Sequence, residues 1–148
     1  MSLQDSVMTA LKTAMKSKDS VALTALRSIK SAILLARTSG SDVAITEEDE
    51  FKLLQKLVKQ RRDSASIFTD QNRLDLAEPE LAEVEVISQF LPQMLEASEV
   101  EKVVVETINS LGASGMKDMG RVMGVVSKIL AGKTDGKTIS TLVKAKLS

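Results

Sequence analysis

The chain has 148 residues, with 20 acidic and 20 basic side chains, 43% hydrophobic and 27% charged. That balance belongs to a folded protein of one domain or two small ones, not to a disordered chain. It contains no cysteine and no histidine, which excludes disulfides, thiolate chemistry, histidine-activated nucleophiles and most zinc sites, leaving carboxylates, lysines and hydroxyls.

The first helix is predicted from Leu3, Val7, Leu11 and Ala14, with Met8 and Met15 alongside, and runs to about Ser17. Asp19 is a good N-cap for a second, with Ala22, Leu26, Ile29, Ile33 and Ala36 in one stripe. Thr38 to Val43 reads as a loop by its turn residues Gly40 and Asp42. Thr46 before Glu47-Glu48-Asp49 is a strong helix start, since its hydroxyl accepts from an orphan N–H and three acids meet the positive end of the dipole. This third helix carries Phe51, Leu54, Val58, Arg61, Ala65 and Phe68 on one face. Arg61 thus sits on an apolar stripe. It either snorkels to the domain edge or meets an acid, Glu83 or Glu85, because an unpaired buried guanidinium is costly.

A turn at Gln71-Asn72 leads to a fourth helix with Leu81, Val84, Ile87 and Leu91 on its inner face. Pro79 is comfortable only in a first turn, so the regular helix is expected to start near Glu78. Phe90-Leu-Pro92 ends it, and a linker continues to Leu95. Ser98-Glu-Val-Glu101 reads as a capping box for a fifth helix carrying Val100, Val104, Ile108 and Leu111, with Gly112 as its C-cap. A sixth helix holds Met119, Val122, Met123, Val126, Ile129 and Leu130 and closes at Gly132. A seventh holds Ile139, Leu142, Val143 and Leu147. The expectation is an all-α protein: an N-terminal antiparallel domain of about four helices over 1–94, then a small three-helix tail domain over 95–148.

Charge is unevenly spread. Residues 71–100 hold Arg73 against seven acids, net −6; residues 113–148 hold seven Lys and Arg against Asp118 and Asp135, net +5. A basic end hints at an anionic partner, although charge alone favours a solvated surface. With no Trp or Tyr and only Phe51, Phe68 and Phe90, base stacking on exposed aromatics is not expected. No apolar run approaches the roughly 18 residues of a membrane span. The start, Met1-Ser-Leu-Gln-Asp5, lacks the basic-then-apolar pattern of a secretion signal, so a cytoplasmic chain without membrane contact is expected.

Ala131-Gly-Lys-Thr134 looks like the end of a phosphate-binding loop. The full pattern needs glycine where Ser127 stands and a preceding strand where a helix is predicted, so no nucleotide is implied. The acids from Glu78 to Glu85 form no oxygen cage for a metal and read as a solvated face. Gly120 and Gly124, four apart on the sixth helix, permit close approach of another backbone, a neighbouring helix before an RNA strand. Met116, Met119 and Met123 read as adaptable core.

Five segments then recur in a familiar order: Lys59-Gln-Arg-Arg-Asp-Ser64, Asn72-Arg-Leu-Asp-Leu-Ala77, Phe90-Leu-Pro92, Asp118-Met-Gly-Arg-Val-Met-Gly124 and Gly132-Lys-Thr-Asp-Gly136. Over essentially its whole length the chain resembles the YqeY family, and through it the C-terminal helical and tail region of the B subunit of the tRNA-dependent amidotransferase (GatB). In that enzyme the region contacts the body of the tRNA, while ligase and glutaminase chemistry belong to other parts. The resemblance implies a non-catalytic module with no cofactor, no metal and no catalytic residues, associated with tRNA or with a tRNA-charging or amidating enzyme. It places Lys117, Gly120, Arg121, Gly124, Lys128, Lys133, Asp135, Gly136 and Lys137 at a candidate RNA surface, where lysines, arginines and glycine-loop N–H groups meet phosphates. The alternatives are a protein–protein adaptor using the acidic fourth helix, and a carbon–nitrogen ligase with glutamine as amido donor. Two positions depart from the usual family pattern: Pro79, where a charged helix former is common, and Asn72, often glycine.

Overall fold

The computed structural model describes residues 2–39 and 44–148; the Gly40–Val43 part of the expected loop lies outside them. All regular structure among these residues is helical: α1 Leu3–Ser17, α2 Ser20–Arg37, α3 Glu47–Asp70, α4 Leu74–Ser88, α5 Ala97–Leu111, α6 Met119–Ile129 and α7 Gly136–Leu147, with a single 3-10 turn at Met116–Asp118 before α6. Contacts divide the chain into two compact units, Met1–Leu91 and Pro92–Ser148.

In the first unit the amphipathic spacing works as expected. Val7, Leu11 and Ala14 of α1, Leu26, Ile29 and Ile33 of α2, Leu54 and Val58 of α3, and Val84 and Ile87 of α4 form one buried cluster. α2 packs against α1, α3 and α4, and α4 also lies along α3. Local signals set the ends. Asp19 accepts from Ala22 N at 3.1 Å. Thr46 accepts from Asp49 N at 3.1 Å while Asp49 accepts from Thr46 N at 3.0 Å, a reciprocal box. Those bonds to Thr46 hold the Asp49 carboxyl below the usual carboxylate range. Asn72 adopts a left-handed backbone, φ 58°, a conformation that asparagine and glycine both tolerate.

Two expectations for α4 are corrected. The helix begins at Leu74, not near Glu78, and Pro79 lies inside it. Proline has no N–H to give the carbonyl of Asp75, so one ladder bond is lost. Ala77, 2% exposed, is buried on the near side of the proline, so the turn before it is helical and packed all the same. Leu81, expected in the core, is 48% exposed, and Ala77 takes the inward position with Val84 and Ile87. Met8 and Met15, set beside the α1 stripe, are also exposed.

The second unit has its own cluster: Val100 and Val104 of α5, Val122, Val126 and Leu130 of α6, and Ile139, Val143 and Leu147 of α7. Gly112 closes α5 in the left-handed conformation, φ 61°, which glycine adopts at least cost. The Ser98 capping box does not form. The ladder starts two residues earlier, with Val100 N bonded to Glu96 O at 3.1 Å, because Leu95 is fixed just upstream: it packs on the cluster and its N–H donates to Lys133 O at 2.8 Å. Glu96 then occupies the N-cap position without a side-chain bond. α6 stops at Ile129, and Leu130 takes the next core position in the row after Val122 and Val126. Ile129, expected in the core, is therefore turned outward and is 50% exposed.

Candidate functional site

The surface of α6 collects most of the basic candidates. Lys117 on the preceding turn, then Gly120, Arg121, Gly124 and Lys128, recur three or four residues apart and are all exposed, so they share one side of the element. A Cβ added at Gly120 or Gly124 would meet nothing within 4 Å. No neighbouring helix of the unit uses this stripe, which overturns the expectation that helix packing explains the two glycines. Met116 and Ile129 are exposed at the two ends of the same region, with Val125 beside Gly124. Sequence reading missed this apolar fringe because it assigned Met116 and Ile129 to the core.

Arg121 is partly tethered. Its guanidinium lies 3.5 Å from Asp118 and donates to the Leu111 carbonyl at 3.4 Å, while Asp118 also accepts from Ser114 N at 2.9 Å. These contacts hold the charge at the α5–α6 corner yet leave about half of the side chain exposed.

The remaining candidates lie around the start of α7. Gly132 is buried with φ 75°, and Lys133, Gly136 and Lys137 are exposed. Asp135 has a helix-capping role: its carboxylate accepts from Thr138 N at 2.7 Å. The bond to Thr138 holds its carboxyl below the usual range. Lys133 spends its carbonyl on Leu95 and leaves its ammonium outside.

In the other unit, Arg61 Nε donates to Glu83 at 3.3 Å, its two terminal nitrogens donate to the Leu57 carbonyl at 3.1 Å and the Ser28 hydroxyl at 2.8 Å, and both charged side chains are only 13% exposed. Glu85, the other acid considered, is exposed. Among the described residues no group of three or more Asp or Glu side chains is placed to hold a metal ion, and no helix is long and apolar enough to cross a membrane.

The profile of the YqeY family, described as Yqey-like protein, matches residues 4–147. The chain belongs to the YqeY family. Its curated relatives include "Altered inheritance of mitochondria protein 41, mitochondrial" of Clavispora lusitaniae, 38% identical over 76% of this chain and 66% of that protein. The protein of the same name from Pyrenophora tritici-repentis is 30% identical over 90% of this chain and 75% of its own length. That from Meyerozyma guilliermondii is 35% identical over 81% and 64%. The chain thus spans between about two-thirds and three-quarters of the length of these relatives. Their names overturn the cytoplasmic expectation. That expectation rested on the missing apolar core of a secretion signal, whereas mitochondrial leaders are amphipathic, basic and free of any such core.

Proposed function

We propose that this YqeY-family chain is a non-catalytic recognition module that binds structured RNA of the tRNA type through the second unit. The observation that carries the reading is the bare α6 stripe, where Gly120 and Gly124 leave the backbone open and Lys117, Arg121 and Lys128 surround it with positive charge. A smooth helix face lets a sugar–phosphate backbone approach closely, and the cations supply the sequence-independent attraction. Lys133 and Lys137 add charge on the neighbouring segment. With few aromatics, recognition rests on backbone shape and 2′-hydroxyls, as in structured RNA. The names of the fungal relatives favour a mitochondrial setting for such a module. A filter-binding titration of tRNA over a salt series tests it. Affinity should fall steeply with salt, and Lys128→Glu with Lys117→Glu should lower both affinity and slope. Absence of binding at about 50 mM salt, or binding indifferent to salt, overturns it.

A second reading, a protein–protein adaptor, draws on the outer side of α4. There Leu74, Glu78, Leu81 and Glu85 are exposed at three- and four-residue spacing, a mixed acidic and apolar stripe suited to a basic partner helix. Recovery of a specific protein partner after nuclease treatment, lost on Leu81→Glu, distinguishes it from the RNA reading.

A further inference from the structure

Between α2 and α3 lies a shallow concavity of about 600 Å³ lined by Thr24, Arg27, Ser28, Ser31, Leu57, Gln60 and Arg61. Its free hydrogen-bonding groups lean towards donors. Thr24 and Ser28 spend their hydroxyl protons on the carbonyls of Ser20 and Thr24, so they offer lone pairs only, and Ser28 gives one of these to Arg61. Among the described residues, Arg27, Ser31 and Gln60 have no side-chain partner, so their N–H and O–H groups are free. Arg61 uses one hydrogen on each of its three nitrogens, for Glu83, the Leu57 carbonyl and the Ser28 hydroxyl. A guanidinium carries five N–H donors, so two of them are left over. No carboxylate lines the concavity; Glu83 meets Arg61 through Nε and neutralises only one of the two guanidiniums.

A surface whose free N–H and O–H donors, mainly those of Arg27, Arg61 and Gln60, outnumber its hydroxyl and amide acceptors, and whose net charge is positive, is complementary to a group that only accepts. We propose that this concavity binds a compact oxyanion, a phosphate group, held between Arg27 and Arg61 with Ser31 and Gln60 completing its hydrogen bonds. Arg61 is the fixed half of the clamp, since its three protein bonds hold the guanidinium plane in place, and a pre-set plane suits the paired oxygens of phosphate. Arg27, exposed and free, supplies the charge that closes on the ligand. Arg62, the next residue along α3, is exposed and outside the lining, which makes it the internal control. The site lies in the Met1–Leu91 unit and does not depend on RNA binding by the other.

Nuclear magnetic resonance of the intact chain, titrated with inorganic phosphate against sodium chloride of matched ionic strength, tests the assignment. Saturable shifts are expected at the Arg27 and Arg61 Nε–H signals and the Ser31 amide. Arg27→Gln should weaken binding by about tenfold or more, the loss of a charge-assisted contact. Ser31→Ala should weaken it less, and Arg62→Gln should leave it unchanged. Shifts that chloride reproduces, or saturation that survives Arg27→Gln, overturn the proposal. A short RNA duplex with hydroxyl ends forms the second arm. If the duplex moves these signals and inorganic phosphate does not, the surface reads a nucleic-acid backbone and the compact-anion site is refuted.

Discussion

Arg61 and Glu83, 22 residues apart in sequence, meet at 3.3 Å in a contact that joins α3 to α4, and the same guanidinium reaches Ser28 on α2. One side chain thus ties three helices. With both partners 13% exposed, their separation from water makes the loss of either one costly, while removal of both is not.

Glu83→Ala should therefore destabilise the first unit by about 2–3 kcal/mol, because it leaves a largely buried guanidinium without its counter-charge and with only its bonds to Leu57 and Ser28. Arg61→Met combined with Glu83→Leu should recover most of that loss. Urea denaturation of the single and double variants reads the difference; equal losses in both would show that the charge pair itself stabilises the unit.

Gly120→Ala and Gly124→Ala should each raise stability by up to about 1 kcal/mol, since both are helical, exposed and free of any neighbour within 4 Å. Gly132→Ala should do the opposite, costing about 1–2 kcal/mol, because its φ of 75° is strained for a side-chain-bearing residue. Thermal melts of the three variants separate the two classes. Weakened tRNA affinity in the two stabilised variants would link the open stripe to binding.

Pro79→Ala restores the N–H that the Asp75 carbonyl lacks and removes the ring from the interior of α4. A gain of about 1–3 kcal/mol is expected, somewhat below the full helix-interior penalty because the surrounding helix has already adapted. An unchanged or lowered melting temperature would mean that the proline shapes α4 in a way the rest of the unit requires.

Asp135 gives a pH dependence with a definite sign. Its carboxyl titrates lower when folded than when unfolded, through its bond to Thr138. The stability it supplies is present above the unfolded value of about 3.9 and is lost as pH falls through the lower folded value. Asp135→Ala should cost about 1 kcal/mol near neutrality, the usual worth of an N-cap. Asp135→Asn keeps an acceptor and should flatten only the acid limb below about pH 4. Asp49 in its reciprocal box contributes in the same direction.

Sequence reading succeeded where the signal was local. Thr46, Asp19 and Gly112 cap helices because the bonds that matter lie within a turn of each. The inner stripes of α1, α2 and α3 followed from spacing alone. Reading failed where a distant contact decided the outcome. Ser98 has every feature of a cap, yet Leu95 bonded to Lys133 moves the start of α5 upstream. Pro79 argued for a late start to α4, but the helix begins before it, with Ala77 buried on its near side and one ladder bond missing. Glu83 was separable from Glu85 in principle, since Glu83 stands one turn before the buried Ile87 while Glu85 falls on the opposite side. At the candidate RNA surface, the charges were visible from the sequence; the openness of Gly120 and Gly124 was not, because spacing does not say which helix face lacks a neighbour.

The bond from Leu95 to Lys133 also dictates where this chain can be cut. A fragment beginning at Ala97 keeps all three helices of the second cluster but abandons Leu95, and with it the clasp on the segment that carries Gly132, Lys133 and Asp135. A fragment beginning at Pro92 keeps the clasp. The few residues before α5, which look like disposable tether, are the strap that fastens the α6–α7 connection.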